Sequence, residues 1–177
     1  MDSHKSRMKK DDLEIVPLCS RFLRKAAKIV DEVFAHYQSR KYTPSDRLRA
    51  SLEKKKEWKL HERHYVDLEY FVLKKTSKDT VIGVVGFYRK NTDPPSNLWI
   101  DWLAVDHTFR GKGYGSILVD WAISYAKEKK ITKLSLYTTN NKEESKAQTL
   151  YSRKNFKIKE VKPCLFWTGF TREKIIA

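Results

Sequence analysis

The 177-residue sequence has few cysteines and no long apolar run. Its two cysteines, Cys19 and Cys164, lie far apart, and neither belongs to a CxxC pair. This pattern gives no disulfide framework and favours two buried, reduced thiols. No stretch approaches the roughly 20 apolar residues that cross a bilayer, and the basic first residues lack the apolar segment of a secretory signal. We therefore expect a cytoplasmic protein that does not use a membrane as a partner.

Acidic residues are too few to balance the basic ones. The chain has 37 Lys and Arg against 22 Asp and Glu, a formal net charge of +15. Because the excess is spread along the sequence, we expect most of it to be solvated surface. Such a field still attracts polyanions, including phosphorylated cofactors, and leaves nucleic acid open as a partner. The length and the 40% hydrophobic content predict one domain over 12–177 after a flexible tail at 1–11.

The hydrophobic periodicity divides the chain into strands and helices. Helical spacing covers 20–38, and Thr43-Pro44 resembles a cap that opens a second helix running to about Lys59. The helices after the glycine-rich segment are predicted at 114–130 and 143–153. The predicted strands are 13–18, one that begins near His64, 80–88, 97–105, 131–138, 156–161 and 165–171. Hairpins followed by a strand-helix-strand unit predict a mixed α+β (α/β) domain with a mostly antiparallel sheet of about seven strands and helices on both faces.

Glycine is also scarce, yet three of the six glycines fall within Arg110–Gly115, between a strand end and a helix. Glycines there let a ligand approach the backbone closely. Unpaired amides at a helix N-terminus bind phosphate, and Arg110 and Lys112 add positive charge. The spacing of these glycines is GxGxG, which matches neither a Walker loop nor a dinucleotide fingerprint. We predict a phosphate or pyrophosphate site over Arg110–Ser116.

Arg110–Gly115 resembles the R/Q-x-x-G-x-G/A signature of the GNAT superfamily of N-acetyltransferases, and Leu103-Ala104-Val105 before it resembles the family's strand end. The segment from Ala147 through Tyr151 to Phe156 is similar to the family's A-x-x-L-Y-x-x-x-G-F segment. The resemblance covers roughly 12–172. Two positions depart from the pattern. Asn155 replaces a glycine that often needs positive φ, and Glu144 replaces an asparagine that often contacts pantetheine.

The resemblance implies a GNAT-like fold and direct transfer of acetyl from acetyl-CoA, as co-substrate, to a primary amine. It implies no metal; the HxxH pair His61 and His64 has no evident third ligand. Tyr151 is implied as the acid that protonates the departing sulfur. Because Glu144 departs from the pattern, Asn140 or Asn141 is left to contact pantetheine. The implied cofactor-binding residues are Leu103, Ala104, Val105, Arg110, Gly111, Lys112, Gly113, Tyr114, Gly115, Ser116, Asn141, Ala147 and Tyr151.

The general base is less clear from the sequence. Asp101 is our first candidate, because a carboxylate inside an apolar strand needs a partner or a function. Glu69, Tyr137 and a water relay remain open, and Asp106 is expected to cap or brace the turn.

The acceptor also stays open between a small amine and a peptide or protein. Phe34, His36, Tyr37 and Tyr42 are candidates for an aromatic wall of the acceptor pocket. The basic surface favours an acidic acceptor or one bound to nucleic acid. The alternative function is a non-catalytic module that binds acyl-CoA or nucleic acid. An aromatic C-terminal strand with Phe166, Trp167 and Phe170 leaves a homodimer open.

Overall fold

The computed structural model describes residues 12–39, 43–53, 65–165 and 167–176. Its helices are α1 (Ser20–Val33), α2 (Asp46–Glu53), α3 (Tyr114–Glu128) and α4 (Ser145–Arg153). Its strands are β1 (Leu13–Pro17), β2 (Tyr65–Lys75), β3 (Val81–Lys90), β4 (Asn97–Ile100), β5 (Ala104–Val105), β6 (Lys133–Thr139), β7 (Lys157–Pro163) and β8 (Thr168–Ile175). The predicted class is confirmed. The predicted tail at 1–11, the second helix beyond 53, and Tyr42, His61, His64 and Phe166 lie outside the described residues.

The strands form one eight-stranded sheet in the order β1-β2-β3-β4-β6-β8-β7, with β5 paired to β3. The β4–β6 pair is parallel, and the other pairs of this sheet are antiparallel. Helix α3 lies in the connection that returns the chain from β5 to β6, which is why β6 can run parallel to β4. The mixed, mostly antiparallel sheet is therefore confirmed.

Helices cover both faces of the sheet and create two cores. On one face α3 and α4 pack over residues that include Phe87 and Leu136. On the other face α1 packs over residues that include Val72 and Val84. Strand β3 contributes side chains to both cores, which explains its nearly continuous apolar run.

The predicted strand 97–105 is divided in two, which raises the strand number from about seven to eight. Phe87 pairs with Ile100, but Val84 pairs with Ala104, so β3 has one residue fewer than the facing chain. This is a β-bulge, and its effect is to end β4 early. Past it, β5 remains on β3 while β6 continues beside β8 alone. A gap therefore opens between β5 and the end of β6.

Gly86 makes this bulge possible. Its carbonyl accepts from Asp101 N at 2.8 Å, and its amide donates to Trp102 O at 3.2 Å. A Cβ at Gly86 would overlap the ring of Tyr70, so a side chain cannot be accommodated while that ring stays in place.

The two cysteines are free, but the expectation that both are buried is wrong. Cys19 is exposed just before α1, and Cys164 is partly exposed just after β7. Both follow the end of a strand, where the chain leaves the sheet. Among the described residues, no helix is both long enough and apolar enough to cross a membrane.

Candidate active site

The glycine-rich segment forms an exposed turn that opens α3. Gly111 and Gly113 have φ values of 76° and 86°, and Gly113 is the N-cap of the helix. A residue with a side chain is strained in this left-handed region, so the two glycines have a conformational reason to be there. A Cβ added to either would meet nothing within 4 Å, which shows that the space above the turn is open.

The amides of this segment have the arrangement that phosphate binding needs. No acceptor among the described residues is found for the amides of Gly111, Lys112, Gly113, Gly115 and Ser116. Several of them belong to the first turn of α3, where helix geometry leaves N–H groups without partners and concentrates positive potential. Because the side chains of Arg110 and Lys112 are also exposed here, the donor set suits a diphosphate.

Asp106 fastens this segment to α1. The buried carboxylate lies 2.7 Å from Lys25 Nζ and accepts from Thr108 N at 2.9 Å and Thr108 Oγ1 at 2.8 Å. Burial raises the pKa of Asp106, but Lys25 and the two Thr108 donors outweigh it and lower the pKa to about 2. The geometry fits the capping and bracing role expected for this residue.

Strand β5 presents its backbone to the gap beside β6. Asp106 N donates to Ile82 O in β3, so the N–H and C=O of the preceding Val105 point the other way. The Val105 carbonyl there accepts from Arg110 Nε at 3.2 Å. Leu103, one residue before β5, lines a cavity on the inner side of the gap. The glycine-rich segment and this cavity are therefore joined by the backbone of 103–105.

The cavity has a volume of about 610 Å³. It lies between the end of α1, the start of α2 and the neighbouring strands. Nine aromatic residues contribute to its lining: Phe34, Tyr37, Tyr65, Tyr88, Trp99, Trp102, Tyr137, Tyr151 and Trp167. The structure thus brings together Asp101, Leu103, Tyr137, Ala147 and Tyr151 of the predicted site. Phe34 and Tyr37 of the predicted aromatic wall line it too, whereas His36 does not.

Asp101 belongs to a buried ion pair that sequence reasoning missed. Arg47 Nη1 of α2 and Tyr70 Oη each donate to one of its carboxylate oxygens. The side chains of Arg47 and Asp101 are only 8% and 5% exposed, and the guanidinium carbon lies 5.5 Å from the Trp102 ring centre. In the sequence, Arg47 was one of several basic residues on a predicted helix, with no signal to separate it from surface charges.

Glu144 is a second buried carboxylate with partners from distant segments. It accepts from Tyr37 Oη at 2.8 Å, Thr139 N at 2.9 Å and Thr139 Oγ1 at 2.7 Å, and His36 Nε2 lies at 3.3 Å. These bonds tie the turn after α1 to the residues just before α4. The sequence marked Glu144 as a departure from the family pattern, but its role depends on contacts that span more than a hundred residues.

Tyr151 lies on α4, one turn after Ala147, and its phenol is nearly buried against the cavity. Burial, and then the negative charge of Glu144, raise the pKa of Tyr151 well above its ordinary range. Tyr151 therefore stays protonated at neutral pH and can donate a hydrogen bond. A buried network holds the helix in place: Arg172 Nε donates to Gln148 Oε1 at 2.9 Å, and Gln148 Nε2 donates to Thr139 O at 2.8 Å.

Other predicted residues lie outside the cavity lining. Asn141 Oδ1 caps the following turn by accepting from Glu143 N at 3.0 Å, and Asn140 Oδ1 accepts from Thr168 N at 2.9 Å. Glu69, an alternative base, accepts from Tyr125 Oη at 2.6 Å and does not line this cavity. Asn155 has a φ of 62°, the conformation expected of the glycine that it replaces.

This fold and the open glycine-rich turn at a helix N-terminus define the class as a GNAT-like acetyltransferase fold. The family model described as Acetyltransferase (GNAT) family matches residues 30–156. Since this is well over half of the chain, the protein belongs to the GNAT acetyltransferase family. No curated protein sequence matches the chain.

Solved structures share the fold at low sequence identity. An N-acetyltransferase from Staphylococcus aureus Mu50 is 18% identical, with a TM-score of 0.69 over 94% of this chain and 99% of its own. A spermidine N-acetyltransferase chimera from Vibrio cholerae and hSSAT is also 18% identical, with a TM-score of 0.69 over 93% and 95%. The Escherichia coli ribosomal-protein-S18-alanine N-acetyltransferase is 15% identical, with a TM-score of 0.60 over 93% and 94%. The names of the last two give different acceptors, so the likeness establishes the fold and leaves the acceptor of this chain open.

Proposed function

We propose that this chain is an N-acetyltransferase that uses acetyl-CoA and transfers the acetyl group directly to a primary amine. The observation that carries the proposal is the open row of amides at the start of α3, joined through 103–105 to an aromatic cavity. One end of this arrangement suits a diphosphate, and the other suits a small organic group. A GNAT domain supplies the general precedent for that chemistry.

Each part of the cofactor has suitable residues in this chain. Arg110, Lys112 and the amides from Gly111 to Ser116, which include those of Tyr114 and Gly115, would hold the diphosphate. The backbone of Leu103, Ala104 and Val105 would hold the pantetheine arm, and Ala147 would border it. Asn141 was predicted for this arm, but its side-chain oxygen serves as a cap. When bound, acetyl-CoA supplies the acetyl group as an activated thioester.

The acceptor amine must lose a proton before it can attack. An alkyl ammonium with a pKa near 10.4 costs about 4–5 kcal/mol to deprotonate at pH 7. Asp101 is poorly suited to take that proton, because protonating it would remove the negative charge that pairs with the buried Arg47 guanidinium. We infer that water in the cavity carries the proton away, and that Asp101 positions Arg47 within the cavity wall.

Tyr151 is the proposed donor to the departing sulfur. Its raised pKa keeps the phenol neutral, so the O–H is present when negative charge develops at the sulfur. The fixed position of α4, held by Gln148 and Arg172, keeps this O–H directed at one place. The role is that of a hydrogen-bond donor and proton source.

Release of free CoA, measured with a thiol reagent in the presence of acetyl-CoA and a panel of primary amines, tests the proposal. Amine-dependent thiol release, with the acceptor gaining the mass of one acetyl group, is the expected result. A folded protein that binds CoA but acetylates no amine in the panel would instead be a non-catalytic acyl-CoA-binding module. A protein that binds no CoA would remove the basis of the proposal.

A further inference from the structure

The cavity departs from the charge balance of the whole chain. The chain carries a net charge of +15, yet three cationic and four anionic residues are found among the described residues that line the cavity. The cationic residues are Arg47, Lys90 and Lys162. The anionic residues are Asp101, Glu143, Glu144 and Glu160. The cavity is thus slightly acidic within a strongly basic protein.

Ion pairs and hydrogen bonds to the lining residues decide how strongly each of their charges acts on a bound ligand. Arg47 and Asp101 are both buried and neutralise each other, so neither charge dominates the field in the cavity. Glu144 accepts from the neutral donors of Tyr37 and Thr139, and His36 Nε2 lies 3.3 Å away. No lysine or arginine pairs with it in the part of the chain that the structure describes. Within the described residues, no ion pair is found for Glu143 or Glu160. No ion pair is found there for Lys162 either, and Lys90 interacts electrostatically with Glu160. With Arg47 and Asp101 set aside, two cations and three anions remain, so the lining keeps one net negative charge.

The aromatic part of the lining formed by Trp99 and Tyr88 already contacts an ammonium group of the protein. Lys90 Nζ lies 3.5 Å from the centre of the Trp99 ring, and that ring stacks on Tyr88 with centroids 5.9 Å apart. Attraction between a cation and the face of an indole is the strongest of the aromatic cases. Burial lowers the pKa of Lys90, while the nearby Asp93 and Glu160 carboxylates oppose that shift. Lys90 thus shows, within the chain itself, how an alkyl ammonium is accommodated here.

We propose that this cavity selects small aliphatic acceptors that carry a second ammonium, and that it disfavours acceptors that carry a carboxylate. This inference rests on the proposed acetyltransferase function and names its acceptor class. An aliphatic diamine would present one amine for acetylation and place its second ammonium against Trp99 and beside Glu160, in exchange for the ammonium of Lys90. The volume of about 610 Å³ is that of a small-molecule pocket. The net positive charge of the sequence favoured an acidic acceptor, whereas the cavity lining favours a cationic one.

Intrinsic fluorescence gives a binding readout that needs no turnover. Trp99, Trp102 and Trp167 line the cavity, so a bound ligand will change their emission. We would titrate the full chain with 1,4-diaminobutane, butylamine and 4-aminobutyrate, which share one primary amine and differ at the other end. The expected order of affinity is diamine, then butylamine, then aminobutyrate, with at least about a tenfold gap between the first and the last. Equal or reversed affinities, or no response to any of them, would overturn the proposal.

Variants of opposite charge sharpen the test. Glu160→Gln should weaken diamine binding by about threefold, the scale of one exposed ion pair. Lys90→Met should strengthen it, because the Trp99 face is released and a competing cation is removed. Glu128→Gln makes the same charge change on the exposed surface of α3, outside the cavity, and should leave binding unchanged. If Glu160→Gln and Lys90→Met shift affinity in the same direction, charge selection is not the cause.

The same three amines separate this inference from the function on which it rests. Acetylation of any of them, in any order of kcat/KM, supports an N-acetyltransferase. Preference for aminobutyrate would then overturn only the acceptor class. Tight diamine binding without release of CoA would overturn only the acetyl transfer. In each case the fluorescence titration reports on the cavity, and the thiol assay reports on the reaction.

Discussion

The two halves of the candidate site are built in different ways. The half proposed for the cofactor, called the cofactor half, is one continuous segment, Arg110–Ser116, with open backbone amides at an exposed helix start. The half proposed for the acceptor, called the acceptor half, is a largely buried cavity whose side chains come from α1, α2, α4 and several strands. The first depends on local conformation, and the second depends on how distant segments pack.

This difference predicts how each half responds to mutation. A site formed by backbone amides loses little ligand affinity when one exposed side chain is removed, because several N–H groups bind the ligand together. In a cavity wall made of buried ion pairs and hydrogen bonds, removing one partner costs much more stability, because the other partner stays buried with fewer interactions. Changes in the acceptor half should therefore have the larger effects, and changes in the cofactor half the smaller ones.

Asp101→Asn should have the largest effect, on stability. Removing the charge breaks the buried ion pair with Arg47, which costs about 3–5 kcal/mol. Urea denaturation measures it. Asp120→Asn is the matched control, because Asp120 pairs with Lys154 on the surface and should cost less than about 1 kcal/mol. Equal losses in the free energy of unfolding would show that the buried pair in the cavity wall contributes no more stability than the surface pair.

Tyr151→Phe should reduce kcat by about 100-fold, because it removes the phenol that we propose as the donor to the departing sulfur. The affinity for acetyl-CoA should change little, since the diphosphate is held elsewhere. Tyr125→Phe provides the control: that tyrosine hydrogen-bonds Glu69 away from the cavity. Steady-state kinetics with calorimetric binding separates the two quantities. Unchanged turnover in Tyr151→Phe would remove this residue from the chemistry.

Asp106→Asn should cost about 2 kcal/mol at neutral pH, in a way that depends on pH. The folded-state pKa of about 2 lies below the ordinary 3.8, so the carboxylate adds stability above pH 3.8. That contribution is lost as the pH falls from 3.8 toward 2. Denaturation curves of the two proteins should converge over this range. A difference that is constant with pH would mean that the Lys25–Asp106 pair does not hold the cofactor segment.

Arg110→Gln should have the smallest effect, lowering the affinity for CoA by about tenfold while kcat is kept. The loss should shrink at high salt, because the contact is exposed and electrostatic. Arg89→Gln removes the same charge from β3 outside the aromatic cavity and should leave CoA binding unchanged. A much larger loss in Arg110→Gln would indicate that a side chain, and not the backbone, dominates the cofactor half.

The same comparison explains what could be predicted from the sequence. The glycine-rich turn could be predicted because it is one short segment of the sequence, with Gly111, Gly113 and Gly115 at alternate positions. The order of strands and helices followed from periodicity, and Asn155 has the positive φ expected at its position. The strand 97–105 was not seen to divide, because the bulge depends on Gly86 and on the Tyr70 ring packed against it.

The acceptor half was only partly predicted. Asp101 and Tyr151 were placed in the site, but the pairing of Asp101 with Arg47 joins segments 54 residues apart. Glu144 was noted as unusual, yet its bonds to Tyr37 and His36 became visible only in the fold. Local sequence patterns carry no signal for such long-range pairs, because many basic and acidic residues compete for the same interpretation.

The most direct test of the account is calorimetric titration of CoA into the folded chain and into Gly113→Val. Valine at a φ of 86° would be strained and would disturb the start of α3 without touching the cavity. We expect one CoA to bind the unaltered chain, and we expect the variant to lose most of that affinity while remaining folded. Absence of binding to the unaltered chain, or equal binding by both proteins, would contradict the assignment of this turn as the cofactor site.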